Sequence, residues 1–361
     1  FSMKYGENFN GGATNVSMHF SFYQRDRVEG SEDEIMGRCD YGDLVPAQFD
    51  SAFNRCSSNS AFGQFDMSGT APYTDGSGEF LIKLASDPNC ILQLGDGVCA
   101  ASDSSGNYTH NWNGQRDVLG AVTRHNLFLF LNHELANGNE LFAEYGTYQS
   151  EYNGNRHSVS HFSSVKFVVP ATNPYNFTGK ALLMDNYRFV DAGARNVDND
   201  KETTRYLLGV RGDTNTGWDW ESAASYSVAE AFDVTHNRVS NTLMDQLLHR
   251  TDETAYNPFN GGGLYQTGFV SHNPVDYTPG GIGPALVDAY RANERTMTTL
   301  DFRMSKPDIF TLTGGDVGMA FGLETRNETF MDDRDPRLDG TIDFTERRTN
   351  GQLSTSAGDT Y

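Results

Sequence analysis

Residues 294–331 read as two long strands joined by a Gly-rich turn, and this segment limits the possible folds more than any other. In its second half Val317, Met319, Phe321 and Leu323 fall on one face. Asp316, Gly318, Ala320, Gly322, Glu324 and Arg326 fall on the other. Successive side chains of a strand point to opposite faces, so the spacing predicts an apolar sheet face backed by a small or charged one. In the first half Leu300, Phe302 and Met304 oppose Asp301 and Arg303 in the same way. A soluble sandwich also alternates. The small and charged series, however, suits a water-filled lumen better than a dry core.

The alternation recurs. Residues 14–26 place Val16, Met18, Phe20 and Phe22 against Asn15, Ser17, His19, Ser21 and Arg25. Residues 122–135 and 139–152 flank Ala136-Asn137-Gly138-Asn139, a short link of the kind that closes hairpins. Leu127, Leu129 and Leu131 form a stripe before it, blurred by Phe128 and Phe130, and Leu141, Ala143 and Tyr145 form one after it. Residues 203–213 set Tyr206, Leu208 and Val210 against Arg205, Gly209, Arg211 and Asp213. After Asn215-Thr216-Gly217, Trp218, Trp220, Ala224, Tyr226 and Val228 oppose Asp219, Glu221, Ser225 and Ser227. This gives about ten strands, several matching the ~9–11 residues that cross a bilayer at a tilt. Trp218 and Trp220 beside a tight turn suit an aromatic girdle.

Composition narrows the class. Thirty-seven Gly, 17 Tyr and 24 Phe favour turns and strands over helices. No run reaches the ~18–20 apolar residues of a membrane helix, so any span must be by strands. A net charge of −21 argues against nucleic acid as a partner. Nor do the motifs point to an enzyme or a cofactor. His133-Glu134 lacks the second His of a zinc protease motif, and no nucleophile elbow, phosphate loop or dinucleotide fingerprint occurs. Asp198-Asn199-Asp200 and Asp332-Asp333-Arg334-Asp335 lack the full spacing of a calcium loop and read as solvated turns.

Cys39, Cys56, Cys90 and Cys99 lie in the most loop-like region and lack zinc-site spacing. Four cysteines allow three pairings, and the sequence does not choose among them. Closure between nearest neighbours, Cys39 with Cys56 and Cys90 with Cys99, is the favoured pattern. Paired cysteines imply an oxidising compartment. Links 136–139 and 214–217 are short, whereas 27–115 and 231–293 are long, polar and weakly periodic. Short turns at one end and long loops at the other are the habit of outer-membrane barrels. Asn241–His249 reads as a short helix or a last piece of strand.

With these segments in order, the chain resembles the barrel of a TonB-dependent outer-membrane receptor. The resemblance rests on residues 11–26, on NCILQLGDGVC (89–99) as a disulfide-closed loop, and on the hairpin 124–148. VVPATNPYN (168–176) and AYNPFNG (255–261) are similar to the family's Asn-Pro-Tyr/Phe-Asn loops, and 205–227 and 314–328 are the most specific segments. It implies an all-β transmembrane antiparallel barrel with long extracellular loops, residues 1–361 forming part of the barrel. The plug domain and the C-terminal strands are not found in the sequence, Phe1–Tyr5 reads as the middle or end of a strand, and such transporters have about 22 strands. The chain is therefore expected to be a portion of a longer receptor in the bacterial outer membrane.

The resemblance implies that the parent binds a nutrient at the cell surface and imports it with energy from the TonB system, reached through the plug. Its partners would be that ligand and outer-membrane lipid. Loops 27–115, 153–180 and 231–293 are the candidates to capture the ligand, and Tyr108, Trp112, Tyr152, Tyr175 and Tyr265 are candidates to stack on a sugar ring or an aromatic chelator. Ordinary loop packing is the plainer account of each. Two other classes fit the same patterns: a passive porin-type channel, and a secreted soluble β-rich domain with its core between two sheets.

Overall fold

A computed structural model describes residues 1–67, 78–95, 97–160, 167–262, 280–339, 344–349 and 352–356. Its largest unit is an antiparallel sheet of eight long strands, numbered here in chain order. They are β1 Ser2–Phe9, β2 Thr14–Arg25, β3 Ala121–Glu134 and β4 Glu140–Arg156, then β5 Arg195–Asp213, β6 Asp219–Val239, β7 Leu286–Leu312 and β8 Gly315–Arg334. Each strand pairs with the next in sequence, so the sheet is an up-and-down meander. The protein is all-β, as the alternation predicts. Eight strands build this sheet instead of the ten expected, and further short strands lie in the long connections. Among the described residues the sheet is open, β1 and β8 each pairing on one side only.

Register turns the separate stripes into one surface, because residues directly opposite across an antiparallel pair share a face. Tyr226 lies opposite Tyr206, Tyr206 opposite Tyr145, Tyr145 opposite Leu129, Leu129 opposite Met18, and Met18 opposite Tyr5. The adjacent row runs Leu300, Ala224, Leu208, Ala143, Leu131, Val16. Much of this band is open: Leu208 is 56% exposed and Leu323 74%. At ~4.8 Å between strands and ~3.3 Å per residue, roughly nine residues on eight strands cover on the order of 1,000 Å². The largest apolar patch on a typical soluble monomer is about 300–600 Å². Bare water is therefore a poor environment for this face.

The opposite face is polar and cross-linked. Arg205–Glu144, Arg211–Glu140 and Arg303–Glu221 each close at 2.7 Å, and Arg295–Glu328 at 2.8 Å. Exposed pairs of this kind are each worth only ~0–1 kcal/mol, so they describe the surface more than they hold it. Phe128 and Phe130, which blur the leucine stripe in the sequence, belong to this face. Phe128 lies over Gly146 directly opposite, and Phe142 over Gly209. A Cβ at either glycine would strike the ring, so the glycines make room for aromatics that shield the backbone.

The four short turns all fall at one end of the sheet, and connections 26–120, 157–194 and 240–285 all leave the other. The three long connections are not structureless. Their described residues fold together into a cap built around a second sheet. Its strand order is Val168–Val169, Leu182–Asp185, Gln64–Asp66, Glu79–Leu84, Val98–Ser102, Cys90–Gly95. Disulfides join Cys39 to Cys56 and Cys90 to Cys99. The protein's buried core is here, formed by Phe65, Phe80 and Ile82 from the first connection and Leu182, Tyr187 and Phe189 from the second. Met244, Leu247 and Tyr256 come from the third.

The third connection opens with a helix, Asn241–Leu248, and not a strand. Ser240 accepts the amide of Leu243 at 3.2 Å as its N-cap, and Met244, Leu247 and Leu248 form the buried face. The two Asn-Pro motifs shape the cap. Asn173 Oδ1 accepts the amide of Tyr175 and Asn257 Oδ1 that of Phe259, each at 3.0 Å, so each motif is an Asx turn around its proline. Asn173 Nδ2 then donates to the Leu248 and Tyr256 carbonyls, at 2.9 and 3.2 Å, tying the second connection to the third.

Candidate functional site

The cap meets the sheet at the loop end of β4, β5 and β6, and the aromatic candidates are distributed around this junction. Tyr108 donates to Asp87 at 2.7 Å, packs edge-on against Phe62 and carries Lys83 5.0 Å from its ring centre. Burial, then the Asp87 contact, pushes its phenol up to about 12. Tyr175 donates to the Glu253 carbonyl at 2.8 Å. Tyr152 is not in a loop. It lies within β4 with its ring over Gly120 and Gly154. Trp112 donates to the Arg55 carbonyl at 3.2 Å, stacks under the Arg116 guanidinium at 4.6 Å, and meets the His157 ring edge-on at 5.3 Å. Tyr265 lies outside the described residues. The four described aromatics do not line one pocket, and each already has partners within the protein.

Trp112 leads to a cluster that sequence reasoning missed. Gln115, fully buried, accepts at Oε1 from the Ser158 amide (3.2 Å) and hydroxyl (2.9 Å) and lies 3.0 Å from His110 Nε2. Arg188 is 4% exposed and, among the described residues, has no carboxylate partner. It donates instead to the Ser158 carbonyl at 2.6 Å, the Asn59 carbonyl at 3.3 Å and the Ser57 hydroxyl at 3.2 Å, with His157 Nδ1 at 3.1 Å. Arg195 Nε donates to the His157 carbonyl at 3.1 Å. On the sheet itself, Arg156 and Arg195 are direct ladder partners. Arg238 follows on the next strand, after a bulge at His236-Asn237 where Asn237 takes a φ of 56°.

The electrostatics of the cluster follow from burial among cations. Desolvation, aided by Arg188, lowers His110 to about 4, and desolvation with Arg188, Arg195 and Arg116 lowers His157 to about 4. Desolvation and Arg195 bring Arg188 to about 10, and desolvation with Arg238 and Arg156 brings Arg195 to about 10. Neutral imidazoles are thus the folded form. An unfolded chain takes up both protons near the ordinary value of ~6.5. Stability from this junction is therefore full above pH ~6.5 and declines as pH falls toward 4. Amide exchange at Ser57, His110 and Ser158 should accelerate across that window, and a His110→Gln/His157→Gln protein should lose the dependence.

The other face has a different edge. Beyond the apolar band Glu202, Glu230 and Glu294 stand directly opposite one another on β5, β6 and β7, with Glu151 opposite Asp200 beside them. Like charges in register are unfavourable unless hydrated, so the row interrupts the apolar surface, which resumes beyond it at Phe232 stacked on Tyr290. Asp198-Asn199-Asp200 is part of β5 and not a turn. Asp198 and Asp288 flank His236 at 3.0 and 2.9 Å. Partial burial disfavours the imidazolium there, but the hydrogen bonds to Asp288 and Asp198 outweigh it and raise its pKa. Asp332 ends β8 paired with Arg291 at 2.7 Å, and His133 Nδ1 lies 2.8 Å from the Thr14 hydroxyl. Among the described residues no three His, Cys, Asp or Glu side chains gather to hold a metal ion. In comparison with known proteins, no family model matches the chain, and neither a curated protein nor a solved structure does.

Proposed function

We propose that this chain is part of the barrel wall and surface cap of a TonB-dependent outer-membrane receptor, whose parent captures a nutrient and imports it. One observation carries the reading: a continuous apolar band on one face of a meander, backed by an ion-paired face, with every short turn at one end and every long loop at the other. Its dimensions suit a bilayer. Trp220 to Val228 is roughly nine residues, about 30 Å along the strand and about 23 Å at a tilt near 40°, against the ~25 Å band of outer-membrane barrels. Trp220 lies at the turn end of the band, opposite Met304.

The three-connection cap is what separates capture from simple leakage, since it sets a folded core at the loop end of the sheet. A secreted domain with its core between two sheets would bury the band, whereas here the core lies in the cap. The test is to express the intact reading frame that contains this segment and fractionate the cells. The expected product is extracted from the outer membrane by detergent and migrates differently on gels before and after heating. A soluble product would overturn the reading. A plug-sized coding region upstream of Phe1 separates an energised receptor from a passive channel, which needs none.

A further inference from the structure

We propose that Arg156, Arg195 and Arg238 form a binding site for a small soluble polyanion bearing two or more carboxylate or phosphate groups. They occupy the loop end of the charged face, under the cap. At the middle of that face arginines are matched to carboxylates across the ladder, as in Arg205–Glu144 and Arg211–Glu140, while Arg124 lies over the Tyr23 ring and Arg25 donates to the Gly120 carbonyl. Here the matching stops. Among the described residues Arg156 makes no side-chain hydrogen bond or ion pair, Arg195 uses only Nε, on a neutral carbonyl, and Arg238 Nε is buried with no partner. The carboxylate that acts on Arg238 is Asp335, and Arg337 holds it at 2.7 Å.

A chain of net charge −21 has no shortage of carboxylates with which to neutralise three neighbouring guanidiniums. That it leaves them facing one another is electrostatic work that a bound anion would relieve. Direct ladder partners start ~5 Å apart at Cβ, so two guanidinium forks on adjacent strands can reach two oxyanion groups of one small molecule, each in bidentate fashion. Arg156 is exposed, whereas Arg195 and Arg238 are partly buried, so a solute reaches the group from the Arg156 side. Trp112 and Arg116 lie beside His157, whose carbonyl Arg195 holds. A lipid phosphate is a poorer occupant, because the apolar band is on the other side of the sheet.

That the anion is also the imported nutrient rests on the receptor reading, whereas its binding does not. The experiment is thermal unfolding and calorimetric titration of the full protein with citrate and with pyrophosphate. Both anions are expected to raise the unfolding midpoint of the native protein. Arg195→Gln/Arg238→Gln should weaken binding by about tenfold or more and abolish the shift. Arg211→Gln, which breaks only a paired site, should retain both. Arg195→Lys, keeping charge without the fork, should fall between and guards against a folding defect in the double variant. Equal shifts in native and double-variant proteins would overturn the site, as would no response to either anion. A response to phosphatidic acid micelles but not to citrate would also overturn it, in favour of a lipid headgroup. Citrate binding by a soluble product would sink the receptor reading and leave the site standing.

Discussion

Leu208→Arg is expected to block membrane assembly, while Leu207→Arg, one residue away, leaves it intact. Leu208 is central in the band on β5, between Tyr206 and Val210, with Ala143 and Ala224 opposite it on either side. On the receptor reading an arginine there faces hydrocarbon, at a cost of about 2–4 kcal/mol near the midplane. That is roughly a 30- to 1,000-fold loss in the folded fraction. Leu207 points to the other face, opposite Glu144 and Ser225, where a guanidinium meets water and a carboxylate. The readout is the fraction of heat-modifiable protein recovered from bilayers. Equal recovery of the two variants would mean that the two faces do not see different solvents, and the membrane placement would fail. A Leu208→Arg protein that is merely more soluble would point to the secreted alternative.

Why the faces were legible in sequence and the site was not follows from what each depends on. Leu300, Phe302 and Met304 announce their face locally, because a period of two needs no knowledge of the partner strand. Phe128 and Phe130 obscure it until register places Phe128 over Gly146, a pairing that no single strand contains. The polar extension of β5, with Asp198, Asp200 and Glu202 on one face, carries no apolar alternation and reads as loop. The Asn-Pro turns are visible as turns, but that Asn173 caps Leu248 depends on a contact 75 residues away. Arg156, Arg195 and Arg238 are ordinary arginines until pairing and a bulge set them side by side. Sequence signals reported the local periodicity well; the three arginines are brought together by non-local contacts.

Phe65→Ala is expected to unfold the cap while leaving the sheet assembled. Phe65 is fully buried, and its ring meets Phe80 at 5.6 Å, Phe259 at 4.7 Å and Tyr187 at 6.4 Å, so one side chain touches all three connections. Truncating such a phenylalanine costs roughly 3–5 kcal/mol, because the lost burial is joined by a cavity that the surrounding rings cannot close. Amides in Gln64–Asp66, Leu182–Asp185 and Asn241–Leu248 should then exchange faster together, by about 100-fold or more, since they share one core. Amides along the β3–β4 and β5–β6 ladders should not change, as their hydrogen bonds are made within the sheet. Acceleration confined to Gln64–Asp66 would show the connections to be independent, and loss of the ladders would show that the sheet needs its cap. A loosened cap that still sits on an intact sheet should also bind citrate more weakly, because the Arg195 contact to His157 depends on the second connection staying folded.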